Sequence, residues 1–306
     1  MACGAATIAP HERVASITLV ESWRREDELS GAGALGERRS ADLLATLPQH
    51  VQFDRCTECG LQMASPSAVW SAASYPRDQS YPVRWEFLKT VESLGRAPLD
   101  VLEVGCGTGQ FLALAGASGH RAVGIDFSES AVAEAGRRGV EAFRGDIDDL
   151  ARHLGSRARF DAVACFHVIE HLANPDALLS DLSGLLRPDA RLFLSCPGPR
   201  RFTKLIAEQQ GGASDFWDYP PQHVLRWTLP ALRAMVVRHG WRVVEAIEEP
   251  FSWVAAGSHI GVVSATHRGR SQHWFGRRAC IAHSWLRLLA TPARRHGISL
   301  FLNATR

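Results

Sequence analysis

The stretch Val101-Leu-Glu-Val-Gly-Cys-Gly-Thr-Gly109 constrains this chain more than any other. A short apolar run enters three alternating glycines, and a second apolar run begins at Phe111 and Leu112. Alternating glycines let the backbone turn tightly and let a ligand approach with no Cβ in the way. A helix begun at this point directs unpaired N–H groups and the positive end of its dipole at whatever lies above the turn. The segment therefore predicts a strand–turn–helix unit that cradles a small-molecule cofactor.

The alternation continues downstream. Apolar strands are expected at 100–104, 121–126, 141–144, 159–165, 190–196 and 241–248, with helices near 109–118, 128–138, 147–153, 174–186 and 228–239. Short apolar strands alternating with helices imply a parallel sheet covered on both faces. Residues 298–304 read as a last strand that pairs with 241–248 across a long insert, 249–297. Upstream, residues 83–95 read as a helix, with Trp85, Phe87, Leu88 and Val91 at helical spacing. Val51 and Phe53 alternate into a tight turn at Cys56–Gly60, whereas the charged, glycine-containing Glu21–Ser40 reads as a loosely packed segment.

Composition removes several function classes. With 306 residues, 46% hydrophobic and 22% charged, the chain suits one large α/β domain plus additions. A net charge of +2 gives no global electrostatic case for nucleic acid. No apolar window approaches the ~18 residues of a membrane span, and the N-terminus lacks the basic and apolar regions of a secretory signal. The seven cysteines are scattered and odd in number, which points to a reducing cytoplasm rather than a disulfide framework.

Residue order discriminates between cofactors. Glu103 precedes the glycine turn, and Asp126 ends the second strand, where an acid can accept hydrogen bonds from ribose hydroxyls. That pair fits a nicotinamide dinucleotide or S-adenosylmethionine. Gly105, Gly107 and Gly109 space as G-x-G-x-G, however, not as the G-x-G-x-x-G that seats a pyrophosphate. Gly145-Asp146-Ile147 follows the third strand, and Phe166-His167-Val-Ile-Glu170-His171 follows the fourth.

Together these segments resemble class I S-adenosylmethionine-dependent methyltransferases. The resemblance covers roughly residues 51–306, and Leu186-Arg-Pro-Asp189 is similar to that family's Leu-Lys-Pro-Gly-Gly turn, with Asp189 in place of a glycine. A closer similarity is to a branch with an N-terminal Cys-x-x-Cys-Gly segment, carried here by Cys56–Gly60, Pro66, Tyr75 and Tyr81 and, after the fifth strand, by Trp217 and Pro220-Pro-Gln-His223. The resemblance implies a Rossmann-like α/β fold: a seven-stranded, mostly parallel sheet with helices on both faces and a final antiparallel strand pair. Residues 1–82 would be an N-terminal extension with a degenerate Cys-x-x-Cys knuckle, and 83–306 the cofactor-binding domain.

The site residues implied for S-adenosylmethionine are Glu103, Gly105, Cys106, Gly107, Thr108, Gly109, Asp126, Phe127, Asp146, Ile147 and Phe166. Ser128 can cap the following helix, which leaves Asp126 for the ribose. His223, His171 and His167 are the candidate catalytic groups, since a neutral imidazole can take a proton from an acceptor. Cys56 and Cys59 have zinc-knuckle spacing, but a structural zinc needs four ligands and upstream there are only Cys3, His11 and His50. Cys106, Cys165 and Cys196 read as small buried hydrophobes. The implied partner is a small-molecule acceptor, a sugar, lipid-linked precursor or secondary metabolite. The arginine-rich insert, with no Asp or Glu after Glu249, would serve as a lid for a phosphorylated or lipid-linked acceptor or a peripheral membrane contact. Residues 1–50 are left open between ordering on substrate and forming a homodimer contact. Two other classes stand beside this reading: a NAD-dependent oxidoreductase, disfavoured by the glycine spacing, and a cofactor-binding protein without catalysis.

Overall fold

The computed structural model describes residues 7–21, 47–65, 83–155, 158–204, 218–257 and 295–306, together with residues 3–4, 41, 44–45, 282, 285–286 and 289. Pro66, Tyr75, Tyr81, Trp217, nearly all of Glu21–Ser40 and most of the 249–297 insert, Arg268 to Arg294 included, lie outside the described residues.

A seven-stranded sheet carries the fold. Its parallel part is β4 (Asp100–Val104), β5 (Arg121–Asp126), β6 (Glu141–Arg144), β7 (Phe160–Phe166) and β8 (Leu186–Pro197). The antiparallel pair β10 (Arg242–Glu248) and β11 (Ser299–Thr305) completes one edge, with β11 pairing both β10 and β8. The order β10-β11-β8-β7-β4-β5-β6 places β4 between β7 and β5, so chain order reverses beside it. In open α/β sheets, ligands bind outside the carboxyl ends of strands at such a reversal.

Both faces of the sheet are buried, and alternation along the strands assigns residues to two cores. Val101, Ala162, Ala164, Phe193 and Phe301 pack on one side. Leu102, Val104, Val163, Cys165, Leu192 and Leu194 pack on the other. The crossover helices are α2 (Gln110–Ala117), α3 (Glu129–Arg137), α4 (Ile147–Leu154) and α5 (Pro175–Leu182), with α1 (Trp85–Leu94) before β4 and α6 (Leu229–Arg238) before β10. Phe111, in the first turn of α2, meets Phe166 at 5.0 Å and Phe87 at 5.7 Å between ring centroids. That aromatic contact anchors the helix to the end of β7 and to α1. Pro at the start of α5 and α6, with Asn174 and Thr228 as side-chain caps, starts those helices where the sequence pattern placed them.

Three features differ from the expectations. In α1, Leu88 is 55% exposed, while Glu86 and Thr90 turn inward with Phe87 and Leu94. The buried face of α1 is therefore partly polar, because Glu86 reaches ion-pair partners at the site described below. β8 starts at Leu186 rather than at residue 190, and Asp189 adopts φ 62°, the left-handed region that favours the glycine of the related turn. A second, four-stranded sheet was not foreseen. It joins β1 (Ile8–Ala15), β2 (His50–Cys56) and β3 (Gln62–Ser65) to β9 (Leu225–Arg226), a strand from well beyond residue 83.

Candidate functional site

Four loops at the carboxyl ends of β4 to β7 converge. After β4, Gly105, Gly107 and Gly109 all have positive φ, at 73°, 52° and 80°. Their roles differ. A Cβ on Gly105 would stand 2.3 Å from Val168 Cγ2, and one on Gly109 would stand 2.6 Å from Val140 Cγ2, so these two permit packing of neighbouring elements. Gly107 has nothing within 4 Å of its Cβ position and leaves open space above the turn. The turn is pinned by Gly105 and Cys106 N–H groups donating to Ile125 O. The Gly107 N–H donates to Asp126 Oδ2 at 2.8 Å, and the Ser128 N–H donates to Asp126 Oδ1 at 2.8 Å. Ser128 caps α3 with its own hydroxyl, as expected. Asp126 thus fastens the glycine turn as well as ending β5. Burial raises its pKa against those backbone donors.

Glu103 is 3% exposed, and among the described residues nothing donates a hydrogen bond to its Oε2. Burial, with the Asp126 charge adding to it, holds its carboxyl well above the usual range. A buried, unpaired carboxylate is costly and calls for a cationic or donor partner. Phe127 is 58% exposed beside an open cleft that Phe143, Arg144 and Gly145 also line. Asp146 forms a capping box with Asp149, accepting from Asp149 N at 2.9 Å, so part of its carboxylate serves α4. Ile147 is buried next to it. Thr108 donates its hydroxyl to Gln110 Oε1 at 2.9 Å, and Cys106 is buried with its thiol pushed up by burial. Phe166 is packed among Phe87 and Phe111.

The loop after β7 carries the titratable groups. His167 adopts φ 55° and faces two buried carboxylates. Its Nε2 stands 2.9 Å from Glu86 Oε1 and 3.1 Å from Ser299 Oγ, and its Nδ1 stands 3.4 Å from Glu170 Oε1. Burial pushes the imidazole pKa down and the Arg84 charge adds to that, but the bonds to Glu170 and Glu86 outweigh both and raise it. Glu170 is 1% exposed, and its Oε1 faces His167 Nδ1 at 3.4 Å. Burial raises its pKa, but the facing imidazoles of His167, His171 and His223 overcome this and bring it to about 2. His171 and His223 meet edge to face at 4.8 Å, and the Nε2 of each stands about 4 Å from Glu170 Oε1. The segment bearing His223 is held there because Val224 and Leu225 N–H groups both donate to Glu170 O.

A model of the methyltransferase domain matches residues 78–246, more than half of the chain. The chain belongs to the methyltransferase-domain family. Relatives agree in part. The ubiquinone biosynthesis O-methyltransferase of Dechloromonas aromatica is 31% identical over 37% of this chain and 50% of its own length. The protein of the same name from Xanthomonas oryzae pv. oryzae is 34% identical over 37% of this chain and 48% of its own. The chain thus spans about half the length of the curated relatives it matches. Among solved structures, phosphoethanolamine N-methyltransferase 2 of Haemonchus contortus with S-adenosyl-L-methionine aligns at a TM-score of 0.50 and 18% identity, covering 72% of this chain and 52% of that one.

The methyltransferase domain has the Rossmann-like architecture expected of it, and its cradle has features that suit the implied cofactor. Space over Gly107, an unpaired Glu103 oxygen and an exposed Phe127 ring are vacant interactions of the kinds a sulfonium amino acid nucleoside would fill. Glu86 and Glu170 were missed as site residues. Glu86 lies one residue from Phe87 on an otherwise amphipathic helix, and nothing local signals that it is buried. Glu170 was visible only as part of the loop motif. The structure also brings Cys3 to Cys56 at 3.4 Å between sulfurs, and the Cys3, Cys56 and Cys59 ligand atoms lie within 4.8 Å of one another. Burial pushes Cys56 up, but backbone N–H groups and the neighbouring thiols lower its pKa on balance. These are three of the four ligands a closed zinc site needs.

Proposed function

We propose that the chain transfers the methyl group of S-adenosylmethionine to a hydroxyl of a small molecule. The observation that carries this reading is the buried carboxylate of Glu103, whose Oε2 accepts no hydrogen bond from the described residues, beside the open turn at Gly107, at the reversal point of the sheet. Glu103 would take the amino group of the cofactor and Asp126 the ribose hydroxyls. Phe127 and Ile147 would wall the adenine, with the free part of the Asp146 carboxylate at its edge. S-adenosylmethionine supplies a methyl carbon already activated by positive sulfur. The residues therefore contribute alignment and exclusion of water, and orientation of this kind is worth up to ~7–11 kcal/mol.

The hydroxyl as acceptor is favoured by the O-methyltransferase names of the relatives. It is also favoured by the cluster of His171, His223 and Glu170 next to the carboxyl ends of β7 and β8, where an acceptor can be oriented through hydrogen bonds. Gln62, Arg201, Lys204 and Arg226 border a small cavity beside His223 and would supply polar contacts to an acceptor.

Incubation of the protein with methyl-labelled S-adenosylmethionine and a panel of phenols, sugars and amines tests the proposal. Labelled O-methyl products are expected from hydroxyl compounds. Label transferred only to amines would replace the hydroxyl by nitrogen. Tight cofactor binding with no transfer to any acceptor would favour a binding protein.

A further inference from the structure

We infer that Glu170, His171 and His223 form an open binding site for one divalent first-row transition-metal ion. Their ligand atoms lie within 4.8 Å of one another. His171 Nε2 is 3.9 Å and His223 Nε2 is 4.0 Å from Glu170 Oε1. Those separations are too long for charge-assisted hydrogen bonds, which close to about 2.7–2.9 Å. They are nearer to the roughly 3–3.5 Å that separates two ligands of one ion bound at ~2.0–2.2 Å.

The orientation of both rings agrees. His171 Nδ1 donates to Gln222 O at 2.5 Å, and His223 Nδ1 faces Asp218 Oδ1 at 3.3 Å. A carbonyl and a carboxylate only accept, so each ring carries its proton on Nδ1 and turns the Nε2 lone pair toward Glu170. Such partners behind the ring are the arrangement that fixes a metal-bound histidine. Asp218 is itself held by Arg201 at 2.7 Å. The Glu170 carboxylate that both rings approach is buried, and His167 Nδ1 stands 3.4 Å from its Oε1. Two imidazole lone pairs turned toward one buried carboxylate are electrostatically matched by a cation.

Two imidazoles and one carboxylate favour manganese, iron, cobalt or zinc over calcium or magnesium. With three protein ligands, positions remain for water or for the acceptor. The role of the ion rests on the methyl-transfer reading; the site does not. A hydroxyl coordinated there loses its proton to water more readily. Its oxygen then bonds to the methyl carbon as the carbon–sulfur bond breaks, and S-adenosylhomocysteine leaves.

The test is titration of the purified full-length protein with cobalt(II), read by visible absorption. One equivalent bound with nitrogen and oxygen ligation, without thiolate charge-transfer bands, is expected. Those bands would report Cys3, Cys56 and Cys59 instead. Glu170→Gln and His223→Ala should abolish the signal, and Asp218→Asn should weaken binding by about 10–100-fold. Near-ultraviolet circular dichroism of each variant checks folding. A wild-type protein that binds no cobalt, binds it only through thiolates, or binds it unchanged after Glu170→Gln overturns the site. S-adenosylhomocysteine binding in the same samples reports separately on the cofactor reading. If that binding fails while cobalt binds, the site stands and the methyl-transfer reading falls.

Discussion

Replacing Asp126 by Asn separates the two jobs the structure gives this residue. The carboxylate accepts from Gly107 N and Ser128 N, one per oxygen, each at 2.8 Å. The amide keeps the shape but turns an NH2 toward one of those donors and removes the charge. One charge-assisted hydrogen bond is lost from the turn, and one anionic acceptor is lost to the ribose. Hydrogen bonds to charged groups are worth ~1.5–3 kcal/mol, so the Kd for S-adenosylhomocysteine should rise about 10–150-fold. Stability moves differently. Asp126 has a folded-state pKa raised by burial, so its contribution to stability is present at acid pH and lost as pH rises through that pKa. At neutral pH the ionised carboxylate is a net cost to the free protein, and the neutral amide relieves it. The thermal midpoint at neutral pH should therefore hold or rise while calorimetric affinity falls. An unchanged Kd would remove Asp126 from the cofactor site. A large fall in the midpoint would show that the loop clasp, not the ribose contact, dominates.

Gly107→Ala should abolish cofactor binding, because its Cβ enters the open space above the turn, while the φ of 52° costs the fold only ~1–2 kcal/mol in thermal unfolding. Phe111→Ala should cost ~3–5 kcal/mol of stability, since the ring is buried between Phe87 and Phe166. Glu86→Ala should cost a similar ~3–5 kcal/mol by removing the carboxylate partner of His167 Nε2, measured by denaturant unfolding. Affinity for S-adenosylhomocysteine should increase as pH rises through the elevated pKa of Glu103, because only the ionised carboxylate pairs with the ammonium group. Calorimetry across pH should show that slope in the wild type and none in Glu103→Gln.

The sheet was legible because each strand is a short apolar run ended by a glycine, an acid or a capping residue. β4 to β7, α2 to α4 and the pairing of β10 with β11 follow from that punctuation, while the antiparallel sense of that pair is what the family resemblance implies. The cradle was legible for the same reason: Gly105, Gly107, Gly109 and Asp126 all sit where a strand stops. The small sheet was not, because β9 is only Leu225–Arg226 and pairs with β3 across a long sequence separation. Helical periodicity put Leu88 inside and overlooked Glu86, whose burial depends on His167 and Ser299 from distant elements. The roles of Cys3 and of Glu170 likewise rest on contacts between segments far apart in sequence, and no local pattern encodes them.

Calorimetric titration of the purified protein with S-adenosylhomocysteine, and with NAD in parallel, tests the central claim most directly. The account predicts saturable one-to-one binding of S-adenosylhomocysteine and none of NAD. Binding of NAD alone, or of neither by a folded protein, would contradict it.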